Sequence, residues 1–210
     1  MQAPAPKRAL VVIDVQNDYF GGGLPIEYPP PQRTLANIGR AMDAARAAGV
    51  PVVVVQNTAR AGAPVFDKGQ PGWELDPTVA SRPRDHYIEK TLPSVFAGTD
   101  FDPWLRANGI DTIAVAGYMT HNCDASTVFE AAHRGYRVEF LNDASGSLSY
   151  ENSAGAASGE EIHRVFCVVF QSRFAAVVGT DAWIAALSAG GGFEIDTPYA
   201  SNQRARAEAA

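Results

Sequence analysis

Ala114-Val-Ala-Gly-Tyr-Met-Thr-His-Asn-Cys-Asp-Ala-Ser-Thr-Val-Phe-Glu-Ala-Ala-His133 is the stretch whose reading decides the fold. Ile113 to Ala116 is an apolar, partly β-branched run that ends in Gly117, and after Cys123 the residues Val128, Ala131 and Ala132 follow helical spacing. The segment therefore reads as strand, tight turn, helix, with Cys123 in the turn. In an open α/β sheet, ligands bind beyond the carboxyl ends of the strands, and a helix N-terminus offers unpaired N–H groups and partial positive charge. A thiol placed there is favoured as thiolate, the nucleophilic form. The competing reading is a small buried hydrophobe, the usual fate of a free cysteine.

Upstream, Ala9 to Ile13 is a continuous apolar run of the kind buried on both faces of a sheet, and it ends in Asp14. That carboxylate is either a turn residue or a catalytic group at a strand end. Gln16 to Phe20 and the run Gly21-Gly22-Gly23 read as a loop over the sheet; a dinucleotide fingerprint would need glycine at 26, which is Ile26. Thr34 to Gly49 carries Leu35, Ile38, Met42, Ala45 and Ala48 at helical spacing with a glycine stop, and Val52 to Val55 is a second buried strand. Residues 57 to 85, rich in Gly and Pro, form a long irregular excursion of the kind that is usually functional. His86 to Lys90 alternates as a short strand with Lys90 at its end, where a lysine is ordinarily solvated.

Downstream, Asp102 to Asn108 is a helix stopped by Gly109, and Arg137 to Leu141 a strand ending at Asn142-Asp-Ala144. Glu151 to about Phe170 reads as one helix, with Cys167 in its apolar core, and Ala175 to Val178 as a last strand. Thr180 is expected to cap the helix that holds Trp183, Ile184 and Leu187. Strands alternating with helices imply one α/β domain, a mostly parallel sheet with helices on both faces in a Rossmann-like three-layer sandwich. Its expected span is 9–190, between an N-terminal extension 1–8 and a tail 191–210. In such a sheet Asp14, Lys90 and Cys123 stand at the C-terminal ends of three strands and converge on one edge.

Composition narrows the class. With 46% hydrophobic and 19% charged residues, the 210-residue chain is an ordinary globular protein. A net charge of −6 with scattered basic residues leaves no nucleic-acid footprint. Met1 to Pro6 have no signal-peptide core and no segment is long and apolar enough for a membrane span, so a cytoplasmic location is expected, with both cysteines, Cys123 and Cys167, reduced. Neither cysteine has zinc-ligand spacing to another ligand.

Three pieces carry a resemblance: Ala9-Leu-Val-Val-Ile-Asp-Val-Gln-Asn-Asp-Tyr-Phe20, Glu89-Lys-Thr-Leu-Pro-Ser-Val-Phe-Ala-Gly-Thr99 and Val115 to Thr127, with Gly135-Tyr136 and Asn142-Asp-Ala144 behind them. Together they resemble the isochorismatase-like cysteine hydrolases, which include nicotinamidases, N-carbamoylsarcosine amidohydrolase and streptothricin hydrolase. The resemblance implies a triad in which Cys123 attacks a carbonyl, Asp14 moves the proton and Lys90 holds the charges. It also implies an oxyanion hole from the backbone N–H groups of Met119 and Cys123, and a cis peptide at Tyr118-Met119.

Similar nicotinamidases hold a metal with histidines in the excursion, where Asn57 to Asp85 contains none. No metal and no cofactor are therefore expected. The expected function is a metal-independent hydrolase of an amide or related C–N bond in a small molecule, through a thioester. Its rivals are vinyl ether hydrolysis of the isochorismatase type and a non-catalytic small-molecule binder or scaffold. Phe20, Trp73, Tyr118, His121 and Asn122 are expected to line the pocket, and the excursion to set the substrate. His121 reads as a pocket or structural residue rather than a general base, and Asp124 as a helix cap or a substrate contact. The expected partners are an amide-type small molecule and further copies of the chain, as a homodimer or homotetramer, with neither nucleic acid nor membrane.

Overall fold

A computed structural model describes residues 5–208; residues 1–4 of the expected extension and 209–210 of the expected tail lie outside the described residues. In chain order the elements are β1 (Arg8–Ile13), α1 (Pro31–Ala47), β2 (Val52–Asn57), α2 (Pro77–Ala80), β3 (His86–Lys90), α3 (Phe101–Ala107), β4 (Thr112–Tyr118), α4 (Ala125–His133), β5 (Arg137–Gly146), β6 (Tyr150–Asn152), β7 (Gly155–Ala157), α5 (Gly159–Val169), β8 (Ala176–Val178), α6 (Thr180–Ala189) and α7 (Pro198–Glu208).

Six strands form one sheet in the order β3-β2-β1-β4-β5-β8. Every neighbouring pair in it is parallel. Alternate residues of β1 serve opposite layers. Ala9, Val11 and Ile13 share a core with Phe101 and Leu105 of α3 and Val128 of α4. Leu10 and Val12 pack with Ile38 and Met42 of α1 and Trp183 of α6. This burial on both faces explains the unbroken apolar runs of β1, β2 and β4. With β2 and β3 on one side of β1 and β4 on the other, the topological switch point falls between β1 and β4, where open sheets bind their ligands.

Several expectations need correction. Residues 151–157 are not helical: β6 and β7 pair as an antiparallel hairpin turned at Ser153-Ala154, with Gly155 at φ 131° opening β7. The helix α5 begins only after Ser158, whose side chain and that of Glu161 form a capping box. Cys167 is half-buried rather than core, since its neighbours Val165 and Val168 are 46% and 61% exposed. Thr180 is the first helical residue of α6, not its cap; the Asp143 carboxylate takes its N–H and hydroxyl at 2.8 and 2.6 Å. Part of the tail is helical, as α7.

The expected extension ends inside the domain. Arg8 opens β1, and its guanidinium makes a buried two-point bond to Glu139 of β5 at 2.8 Å for each contact. Trp183 Nε1 donates to the same carboxylate, also at 2.8 Å.

Gly117 sets the spacing of the central strands. It pairs with Ile13 at φ 122°, and a Cβ there would lie 2.0 Å from the Ile13 carbonyl oxygen. Only glycine lets the end of β4 approach β1 so closely. Gly117→Ala is expected to destabilise the fold by more than about 3 kcal/mol, at the high end for one substitution, as read by urea unfolding.

Candidate active site

The ends of β1, β3 and β4 bring Asp14, Lys90 and Cys123 into contact. Lys90 Nζ lies 2.7 Å from Asp14 Oδ2 and 3.3 Å from Cys123 Sγ, and also meets Asn57 Oδ1 at 3.4 Å. Neither the ammonium nor the carboxylate side chain has any exposure, so Lys90 is buried where a strand-end lysine is ordinarily solvated. Asp14 itself is in the left-handed region at φ 52°. Its N–H donates to Val55 C=O at 3.0 Å and its C=O accepts from Gln16 N–H at 2.9 Å, which ties the strained residue to both sides. The Gln16 side chain, wholly buried, pairs with the backbone N–H and C=O of Asn57 at 3.0 Å each, and so braces the residue that faces Lys90.

The charges follow from this burial. Desolvation raises the Asp14 carboxyl from its usual value against the pull of Lys90 and of the thiol. For Lys90, burial alone would loosen the proton, but Asp14 and Cys123 together outweigh it and the ammonium is held more tightly. The Cys123 thiol is pushed well above its ordinary value, by burial first and then by the Asp14 charge. The thiolate expected from a helix-terminal position is therefore not the resting form. Desolvation outweighs the partial charge of the helix end.

Thr120 to Asp124 wind as a π-helical turn ahead of α4, a distortion frequent at functional sites. The Tyr118-Met119 peptide bond is cis. Asn122 and Asp124 N–H both donate to Met119 C=O, at 2.9 and 3.2 Å, while the Met119 N–H enters no backbone bond among the described residues. Asp124 does not cap α4: its backbone is helical and its side chain makes no cap bond. His163, without any motif in the sequence, reaches the turn from α5, with Nδ1 2.9 Å from Thr120 Oγ1.

The five expected pocket residues separate. Tyr118 is fully buried with its hydroxyl 2.6 Å from Thr34 Oγ1, so it belongs to the core. Phe20 packs edge-on against Tyr118. Trp73 is half-buried in the excursion, held by Gln16 and Gln56 amides on its carbonyl at 2.7 Å each and donating from Nε1 to Thr58 at 2.9 Å. Asn122 is half-buried beside the nucleophile. His121 does line a cavity, of about 430 Å³, with Tyr150, Asn152, Ile162 and Phe166, although Asp14, Lys90 and Cys123 are not among its walls. Burial lowers the His121 pKa to about 4, and Ser147 Oγ holds its Nδ1 at 3.0 Å. The side-chain contact of the thiol is with Lys90 rather than with His121.

Tyr150 packs edge-on against His121 with ring centroids 4.9 Å apart, and its phenol is pushed up by burial and then by the Cys123 charge. Sequence reasoning missed it because it assigned the hairpin to a helix. Among the described residues, no group of three or more His, Cys, Asp and Glu is placed to hold a metal ion, so the donor set does not fit the metal of similar nicotinamidases.

Comparison with known proteins shows the family to which this fold belongs. The isochorismatase domain model matches residues 8–182. A crystal structure of an isochorismatase-family protein from Burkholderia xenovorans LB400 is 65% identical, with a TM-score of 0.96, over 97% of this chain and 98% of that one. A ureidoacrylate amidohydrolase, RutB, from Variovorax paradoxus is 32% identical over 69% of this chain and 70% of its own. A streptothricin hydrolase from Streptomyces noursei is 37% identical over 65% of this chain, which spans only 49% of that relative. The chain belongs to the isochorismatase family of hydrolases.

Proposed function

We propose that this protein hydrolyses an amide or related C–N bond of a small molecule by covalent catalysis at Cys123, without a metal. The observation that carries the reading is the buried contact of Lys90 Nζ with both Asp14 Oδ2 and Cys123 Sγ, at 2.7 and 3.3 Å. A thiol, a carboxylate whose basicity burial has raised, and a cation that steadies either negative charge are what proton-coupled thiol attack requires. The names of similar proteins, a ureidoacrylate amidohydrolase and a streptothricin hydrolase, support C–N cleavage.

Attack forms the Sγ–C bond as the thiol proton passes to Asp14. The carbonyl electron pair moves to oxygen, where the N–H groups of Met119 and Cys123 receive it. Because the resting thiol is protonated, transfer and attack occur together rather than through a stored thiolate. As the tetrahedral species collapses, the C–N bond breaks and Asp14 gives its proton to the leaving nitrogen. Water then adds to the thioester with Asp14 as base, and the Sγ–C bond breaks to release acid and free thiol. Lys90 keeps Asp14 ionised at the start of each half-reaction. His121, beside the nucleophile in the chain, opens on a cavity it lines with Tyr150, Ile162 and Phe166, with no charged side chain among the residues lining it. The acyl or amine part of the substrate resting there is neutral.

The test is ammonia or amine release from a panel of neutral and charged carboxamides and ureido compounds. Cys123→Ala is expected to keep the fold and lose turnover; activity above a few per cent of the parent would overturn the covalent route and favour vinyl ether chemistry. Lys90→Met is expected to slow Cys123 alkylation at pH 7, because losing the cation raises the thiol further. It also leaves Asp14 buried without a counter-charge, a loss of about 3–5 kcal/mol in urea unfolding.

A further inference from the structure

Asp124, next to the nucleophile, has no part in the steps above, yet its side chain is 0% exposed. Both of its oxygens are buried without a hydrogen-bond partner in good geometry among the described residues. So is the hydroxyl of Ser145, on β5, which faces them. A buried carboxylate needs a cation or several N–H donors, and otherwise gives up its charge. Lys90 is the cation within range, but its contacts go to Asp14, Asn57 and Cys123.

The other ionisable groups around Asp124 bring no positive charge. They are Asp14 at the end of β1, Tyr19 in the loop after it, Tyr118 on β4, Cys123 in the same turn and Cys167 on α5. His163, which reaches the turn from α5, is kept neutral by burial, its pKa lowered to about 4.

We propose that Asp124 rests as the neutral acid, donates to Ser145 Oγ, and is a positioning residue that braces the nucleophile turn without adding a second negative charge beside Cys123. Burial first, and the Asp14 charge second, push its carboxyl well above the ordinary range against the smaller pulls of Ser145 and Lys90. Two carboxyl groups at the nucleophile turn thus rest in opposite states, Asp14 ionised by Lys90 and Asp124 protonated for want of a cation. Such divided pairs mark a division of labour. The proposal goes beyond the amide-hydrolysis reading and does not rest on it, since it concerns the reactivity of the thiol rather than the identity of the substrate.

The test uses the intact protein and iodoacetamide, with peptide mass spectrometry to separate alkylation of Cys123 from that of Cys167, so it needs no substrate. At pH 7, Asp124→Asn keeps a neutral donor and is expected to alkylate within about twofold of the parent. Asp124→Ala removes the brace and is expected to slow alkylation about fivefold or more, the effect of one lost buried hydrogen bond. If Asp124 were ionised, Asp124→Asn would remove a negative charge beside the thiol and accelerate alkylation about tenfold or more, which overturns the proposal. Parent-like reactivity in Asp124→Ala, or equal slowing in both variants, overturns it as well. Should Asp124→Ala not fold, infrared difference spectra of parent and Asp124→Asn decide: a protonated-carboxyl band lost in the variant supports the proposal, and its absence from the parent overturns it.

Discussion

Lys90 is the residue on which the site depends, because one buried ammonium serves two acidic partners that come from opposite sides of the topological switch point. Burial makes each of the three groups reluctant to hold a charge, and the contact between them restores a balanced state of one cation, one carboxylate and one neutral thiol. The resting site is therefore poised rather than pre-ionised. In the proposed reaction the thiol would become reactive only as its proton leaves for Asp14.

The surrounding fold holds that contact in place. Gly117 lets β4 crowd against β1, so that Asp14 and the turn bearing Cys123 begin side by side. Parallel pairing of β2 with β3 puts Asn57 level with Lys90, and Gln16 fixes Asn57 through its backbone. The excursion is tied down over the same edge by Gln16 and Gln56 on the Trp73 carbonyl. Rigid sheet beneath and anchored loop above exclude water from a cell whose electrostatics rely on low dielectric. On the other side of the turn, His163 carries the support into α5.

Much of this was legible from local pattern. Period and punctuation identified β1, β2, β4 and α1, because strands buried on both faces are unbroken apolar runs and helices end at glycine. Asp14 stood out because it ends an apolar run, and Cys123 because it lies in the turn between a buried strand and a helix. Lys90 was a candidate by its strand-end place, but its burial was not legible, since a lysine is usually solvated and only the opposing Asp14 and Cys123 make burial tolerable. The hairpin of β6 and β7 was hidden by the helical composition of 151–170, although Ser158 and Glu161 spell a capping box that marks where the helix starts. Tyr150 and Ser147 followed it into obscurity.

What the sequence determined by itself was the set of chemical groups and the edge of the sheet on which they meet, because periodicity fixes strand direction and parallel strands end on one side. Only the tertiary structure decided their protonation and their partners. Whether a thiol rests as thiol, an aspartate keeps its proton, or a tyrosine faces a pocket rather than the core depends on desolvation and on neighbours distant in the chain. Those terms act over a few ångströms in space and leave no trace in residue order.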